Sequence, residues 1–255
     1  MIPQLNEKEE RILSLLVHDP NVGVSDLAKT LDVSTVTMRG YLNGLSEKGY
    51  VYRVRGGAVP TLHPDIIDRQ RRMSEQKTAI ARYAASLVAD GDTIMIEAGT
   101  TTATIVRFLL GTRDVSIVTN NTLALAHARG NPGLRVHIVG GEYRPAAESV
   151  VGPVALETLE QFRVKLAFVG TDGFSIEHGL STHLVDGAAV VRRMADQAER
   201  VVALADSSKY GKTGFVHVLP LRDIDLIVTD TGLNEETVAG LEETGVRIVR
   251  VDSGA

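Results

Sequence analysis

The chain contains no cysteine and no tryptophan. The first absence excludes a disulfide framework, a thiol nucleophile and any cysteine-based metal site. The second, with aromatics at only 4% of residues, argues against a stacking platform for single-stranded nucleic acid. No stretch approaches the ~20 apolar residues that a membrane span needs, and no apolar segment follows a basic start. No membrane partner is therefore expected, and the expected location is cytoplasmic. Neither a G-x-x-x-x-G-K-[ST] loop nor a G-x-G-x-x-G turn occurs, and no cofactor is expected. His18, His63, His127, His137, His178, His183 and His217 have no ligand-like spacing to one another, so no metal site is expected either. Only His183, in the glycine-flanked Gly179–His183 loop, is placed near a ligand. A net charge of −5 rules out general coating of nucleic acid and confines any such contact to a local patch.

What is present begins with length: 255 residues, 44% hydrophobic and 23% charged, suit one small and one ordinary globular domain. In residues 22–60, Leu27, Leu31, Val36, Leu42 and Leu45 recur at helical spacing and predict two short helices with a core-facing stripe. Ser25 and Ser34 stand where N-caps belong. Only Asp32 and Val33 are left for the turn, so the helices cross sharply over about 22–41, as in a helix-turn-helix. Behind them Tyr50–Val54 alternates like a strand, Gly56-Gly57 turns the chain, and Ala58-Val59 returns: a wing. Residues 1–60 balance seven Lys/Arg against seven Asp/Glu. From Val33 to Pro60, however, Glu47 is the only acid against Arg39, Lys48, Arg53 and Arg55. One face of an otherwise neutral domain is therefore basic, which predicts a winged helix that binds double-stranded DNA. The first helix is expected from an Asn6 cap to His18, with Ile12, Leu13, Leu15 and Leu16 inward. The predicted domain occupies residues 1–60. Residues 61–75 read as a linker in which Pro64 breaks any helix.

From residue 76 to 255 the pattern changes to that of a second domain. A helix over Lys77–Val88 leads to short Val/Ile-rich strands near 93–96, 115–118, 136–139, 166–169, 201–204, 224–228 and 246–249. Helical stretches fall around 102–110, 121–129, 153–162, 186–198 and 234–243. That alternation predicts an α/β domain with a mainly parallel sheet covered on both faces. Ligands of such sheets bind at the carboxyl ends of the strands. After the first strand comes Glu97-Ala98-Gly99-Thr100-Thr101-Thr102, running into a helix. A glycine that permits close backbone approach, a helix N-terminus and three hydroxyls suit one phosphate. A cap would need only one hydroxyl. Other strand ends carry Asn120, Arg144, Asp172 and Lys209: carboxylates and an amide for sugar hydroxyls, cations for an anion.

These residues resemble, over nearly the whole chain, the DeoR/GlpR-type bacterial transcriptional repressors. The N-terminal likeness lies in LAKTLDVSTVTMRGYLNGLSEKGYVYRVRGGAV. The C-terminal likeness lies in IEAGTTTATI, IVTNN, VGGEYR, FVGTDGF, GLST, ALADSSKYG and IDLIVTD, in the family's order. The resemblance implies a repressor of carbohydrate-metabolism genes that a phosphorylated sugar releases from operator DNA. It also implies a sensor fold like that of ribose-5-phosphate isomerase and CoA transferases. The implied DNA-binding residues are Ser34, Thr35, Thr37, Arg39, Tyr41, Lys48, Arg53 and Arg55. The implied effector residues are Glu97, Gly99, Thr100, Thr101, Thr102, Asn120, Arg144, Asp172 and Lys209. Gly40-Tyr41 replaces the family's Arg-Asp, Arg55 a wing His, Glu97 an Asp, and Lys165 stands where an Asp is common. Self-association as a dimer or tetramer is expected, because symmetric operators are read by symmetric proteins. The alternative from another class is a sugar-phosphate isomerase with a DNA-binding appendage, Glu97, Asp172 and Lys209 serving as its acid–base groups. The isomerases' second glycine-rich loop with an embedded lysine does not stand out in this chain.

Overall fold

A computed structural model describes residues 5–19 and 21–254. The chain forms two compact units that divide between Arg72 and Met73. The first unit contains α1 (Glu7–His18), α2 (Val24–Thr30), α3 (Thr35–Glu47), β1 (Val51–Val54), β2 (Gly57–Pro60) and α4 (Pro64–Arg71). α1 starts as expected. The Asn6 side chain accepts from the Glu9 N–H at 2.9 Å while the Glu9 carboxylate accepts from the Asn6 N–H at 2.9 Å, a capping box. Ile12, Leu16, Leu27, Met38, Leu42 and Leu45 close the core with no exposure. β1 and β2 pair antiparallel with Val54 opposite Gly57. Gly56 takes the left-handed conformation (φ 85°) that this tight turn requires.

Three expectations in this unit are corrected. Ser25 is not a cap: α2 starts at Val24, two residues earlier than a Ser25 cap would place it, behind Gly23, and the Val24 N–H donates to the Gly56 carbonyl of the wing at 2.9 Å. Val36 does not join the core. α3 starts at Thr35, so Met38, Leu42 and Leu45 (i, i+4, i+7) form the inward stripe and Val36 points away. Pro64 does not break a helix but starts one. Its missing N–H is harmless in the first turn, where that donor has no partner anyway. α4 buries Ile66 and Ile67, and Arg71 pairs with Glu10 of α1.

The second unit opens with α5 (Ser74–Ser86), β3 (Thr93–Ile96), α6 (Thr100–Phe108), β4 (Val115–Thr119), α7 (Thr122–Ala128) and β5 (Leu134–Ile138). It continues with β6 (Glu142–Arg144), β7 (Ser149–Val151), α8 (Pro153–Glu160), β8 (Val164–Gly170), β9 (Gly173–Ser175) and β10 (Gly179–Thr182). It ends with α9 (Val185–Asp196), β11 (Ala198–Leu204), β12 (Val216–Leu219), β13 (Leu226–Asp230), α10 (Glu235–Glu242) and β14 (Arg247–Val251). Seven strands form one sheet in the order β14-β13-β11-β8-β3-β4-β5, every neighbouring pair parallel. One apolar cluster, with Ile80, Ala84, Ile105 and Leu109, packs α5 and α6 on one face. Clusters that include Ala155, Leu159, Val190, Met194 and Leu241 pack α8, α9 and α10 on the other. All seven expected parallel strands and all the expected helices are present. The sequence reading missed the β6–β7 hairpin and the β9-β10-β12 sheet. Their strands are only three or four residues long, and none has three consecutive apolar residues as the equally short β3 has in Ile94-Met95-Ile96.

Candidate functional site

In the first unit the N-terminus of α3 is built by Ser34. Its hydroxyl accepts the Thr37 N–H at 3.0 Å and shares a 2.8 Å hydrogen bond with the Thr37 hydroxyl. Both side chains are thus committed to capping, although both stay exposed. Thr35 and Arg39 are exposed on α3, and Arg53 and Arg55 are exposed on the wing. None of these three guanidinium groups has a partner among the described residues, so each keeps five donors for another molecule. Tyr41 is half-buried against the core of the unit.

Lys48 departs from the expectation of a free phosphate contact. Its ammonium lies 2.7 and 2.8 Å from the two oxygens of the buried Glu9 carboxylate. Burial pushes the Glu9 pKa up, but the hydrogen bond and charge of Lys48, with the Asn6 N–H, outweigh it and hold the group below its ordinary value. Lys48 therefore neutralises a carboxylate that capping drew inside, and it is a structural residue.

In the second unit, β3, β4 and β5 run outward in one direction and β8, β11, β13 and β14 in the other. The chain direction of winding reverses between β3 and β8, the place at the carboxyl edge where sheets of this kind form a crevice. Glu97 follows β3 at this point. Its carboxylate accepts the N–H of Gly170, the last residue of β8, at 3.0 Å, and so ties the two sides of the crevice together. Gly99 then precedes α6. The Thr102 hydroxyl is fully buried and donates to the carbonyls of Glu97 (2.7 Å) and Gly99 (3.0 Å). The Asn121 amide donates to the same two carbonyls at 3.0 Å each. Both groups fasten the loop from behind. By contrast, the hydroxyls of Thr100 and Thr101, though nearly buried, have no partner among the described residues. Beside them lie the first N–H groups of α6, which helix geometry leaves without carbonyls.

Asn120, at the end of β4, completes this edge. Its side-chain N–H donates to the Val150 carbonyl at 3.2 Å, its own carbonyl accepts from the Val150 N–H at 2.9 Å, and its side-chain oxygen is buried with no partner. A buried acceptor without a donor is uncommon enough to need an explanation. Nearby, Tyr143 donates to Glu148 at 2.6 Å, and desolvation with that carboxylate's influence pushes the tyrosine up to about 12.

Of the remaining expected groups, Lys209 lies in the turn after β11, two strands from β3, and its ammonium has no partner among the described residues. Arg144, exposed on β6, pairs with Glu142 (3.2 Å) and with Asp186 (3.1 Å) at the start of α9. Asp172 accepts from the Thr182 hydroxyl (2.8 Å) and the His183 N–H (3.1 Å), which orders the loop after β8. Lys165 binds Asp92 at 2.8 Å, at the amino end of β8. The departure at position 165 therefore falls at the opposite end of the strand from the crevice. Sequence reasoning missed Asn121 as the loop's clamp. Nor did it find the role of Asp230, a strand-end carboxylate that accepts from the Ser207 N–H (2.7 Å) and hydroxyl (2.8 Å) and so shapes the turn that carries Lys209. Their signal was position at a strand end, which alone does not separate a clamp from a ligand group.

No helix among the described residues is long and apolar enough to cross a membrane, and no His/Asp/Glu cluster among them could hold a metal ion. A winged helix with free arginines, joined to an α/β unit with a polar crevice at its switch point, defines a ligand-responsive DNA-binding regulator. The chain matches the model of the DeoR-like helix-turn-helix domain over residues 8–61 and that of the DeoR C terminal sensor domain over residues 72–231. It is 33% identical to the HTH-type transcriptional repressor GlcR of Bacillus subtilis (strain 168), over 95% of this chain and 96% of that one. It is 32% identical to the HTH-type transcriptional regulator GlpR of Haloferax volcanii, over 95% and 96%. The chain belongs to the DeoR family of transcriptional regulators. It is accordingly a DNA-binding regulator with a small-molecule sensor domain, and not an enzyme. A ribose 5-phosphate isomerase of Methanocaldococcus jannaschii overlays 54% of this chain and 55% of its own at TM-score 0.39 and 22% identity, too loosely to bear on activity.

Proposed function

We propose that the chain is a cytoplasmic repressor of carbohydrate-metabolism genes that leaves its operator when a phosphorylated sugar fills the β3–β8 crevice. Residues 1–60 supply the DNA grip and residues 76–255 the sensing. The observation that carries this reading is the start of α6. The first backbone N–H groups of α6, which helix geometry leaves without carbonyls, and the unpartnered hydroxyls of Thr100 and Thr101 lie together at this helix start after Gly99, which suits a phosphate dianion. The free ammonium of Lys209 supplies counter-charge. The orphaned oxygen of Asn120 accepts a sugar hydroxyl, and Glu97, already bonded to Gly170, keeps acceptor capacity for another. On the DNA side Arg39 and Thr35 face base edges, while Arg53 and Arg55 meet phosphate or the minor groove. The active species is a dimer or tetramer, since one winged helix covers little operator, and light scattering measures that mass directly.

A thermal-shift screen of phosphorylated sugars against their unphosphorylated parents tests the reading, because a ligand of the native state raises its melting temperature by mass action. Stabilisation by a phosphorylated sugar alone is expected. Equal stabilisation by the parent sugar would remove the phosphate from the account.

A further inference from the structure

α3 presents a side that the capping and core arguments leave unexplained. At about 100° per residue, Val36 lies about 150° around the helix from the mean direction of the core residues Met38, Leu42 and Leu45. Gly40 lies about 165° from it. These two positions, not Arg39, mark the outermost line of the first two turns. Val36 is 73% exposed, the most exposed large apolar side chain among the described residues of the DNA-binding unit, and exposed Thr35, Thr37 and Arg39 surround it. A Cβ added at Gly40 would meet nothing within 4 Å, so no side chain one turn on shields the valine or holds the helix away from a surface.

Granted the DNA-binding reading, the N-terminal turns of α3 enter the major groove. The edges there offer hydrogen-bond donors and acceptors, with one apolar exception, the C5-methyl of thymine. Pressing an isopropyl group against any of the polar edges would strip water from them and return no hydrogen bond. We infer that Val36 is a specificity-determining residue that reads the C5-methyl group of a thymine, with Gly40 allowing the close approach this contact needs. Arg39 and Thr35, about 60° and 100° from Val36 on the same side of the helix, supply the hydrogen bonds that a valine lacks. The position also explains why an apolar side chain sits on the outside of a short helix whose β-branch adds nothing to helix propensity.

The test separates this residue from the function it serves. Duplexes that the full-length protein retains from a random pool are selected and sequenced. Each thymine of the selected site is then replaced by deoxyuridine, which deletes only the methyl group. Affinities are measured by fluorescence anisotropy for the wild type, Val36→Ala and Val36→Thr. At one thymine position, loss of the methyl should weaken wild-type binding about fourfold, the equivalent of one buried methyl-sized group. The same replacement should leave Val36→Ala unaffected, and Val36→Thr, which keeps one methyl of the branch, should fall between. Val36→Thr should melt like wild type and Val36→Ala at or slightly above it, since the side chain touches no core and alanine only improves helix propensity. If Val36→Ala suffers the same penalty as wild type at every thymine, the inference is overturned while DNA recognition stands. If no sequence is enriched at all, the DNA-binding reading fails and this inference with it.

Discussion

The two units hold their functional groups in opposite states. In the DNA-binding unit, Arg39, Arg53 and Arg55 are exposed and unpartnered, held by a core to which they contribute nothing. In the sensor unit, the polar groups at the carboxyl edge are buried and tied to one another: Glu97 to Gly170, Asn121 to the carbonyls of Glu97 and Gly99, Asp230 to Ser207. The partners differ in the same way. A polyanion as large as DNA meets a surface, and its binding rests on displaced counterions. A small ligand needs a preformed cavity whose few polar groups are already aimed. Substitutions on the first surface should therefore change binding without changing stability, whereas those in the crevice should touch both.

The largest expected effect is the exception that sharpens this contrast. Lys48 lies in the acid-poor segment but serves Glu9, so Lys48→Ala should strand a buried carboxylate. The expected loss is about 2–3 kcal/mol, below the ~3–5 kcal/mol that breaking a fully buried pair costs, because Lys48 remains about a third exposed. Urea denaturation of the full chain reads it, and an unchanged midpoint would return Lys48 to the DNA contacts. The pH dependence has a definite sign. Glu9 has a folded pKa below its ordinary 4.5, so its contribution is fully present above that value and is lost as pH falls through the lower, folded one. Lys48→Ala should flatten that acid limb.

Next in size is Lys209→Ala. Losing one charge-assisted contact should weaken a phosphorylated sugar by about 1.5–3 kcal/mol and leave its unphosphorylated parent unchanged. Calorimetric titration with both compounds decides; equal losses would mean that Lys209 holds the sugar and not the phosphate. Arg39→Ala should remove at least ~1 kcal/mol of specific DNA binding, and Arg55→Ala should lower the salt slope by about 1 at all sequences. Neither should move the melting temperature. Smallest is Gly40→Ala: the new Cβ meets nothing, so α3 should gain about 0.5–1 kcal/mol of stability.

The same contrast explains how much was legible in the sequence. The parallel strands and their helices could be read because each repeats one burial pattern over several residues. The helix-turn-helix could be read too, yet Val36 was assigned to the core. Val36 stands two residues before Met38 and so about 160° around the helix from it, and the core takes Met38 with Leu42 and Leu45 instead. Pro64 was taken for a breaker because the sequence does not tell the first turn of a helix from its interior. In the crevice, the residue types and loops were visible, but their division of labour was not. Thr100, Thr101 and Thr102 look equivalent in sequence, whereas only Thr102 is spent on carbonyls. Asn120 and Asn121 are adjacent, yet one clamps the loop and the other leaves an acceptor open. Such distinctions arise from direction across strands, which no local pattern encodes.

The central claim is that occupation of the β3–β8 crevice loosens the grip on DNA, and Gly99→Val tests it most directly. A Cβ at Gly99 would stand 3.0 Å from the Thr102 hydroxyl, which crowds the loop where the phosphate is placed and leaves the DNA-binding unit untouched. Operator affinity is measured by anisotropy for wild type and Gly99→Val while the phosphorylated sugar found by thermal shift is titrated in. Effector and operator are linked reciprocally, so wild-type affinity should fall as the sugar is added. Gly99→Val should bind the operator like wild type and stay bound throughout. Release of Gly99→Val at the same sugar concentration as wild type would contradict the account.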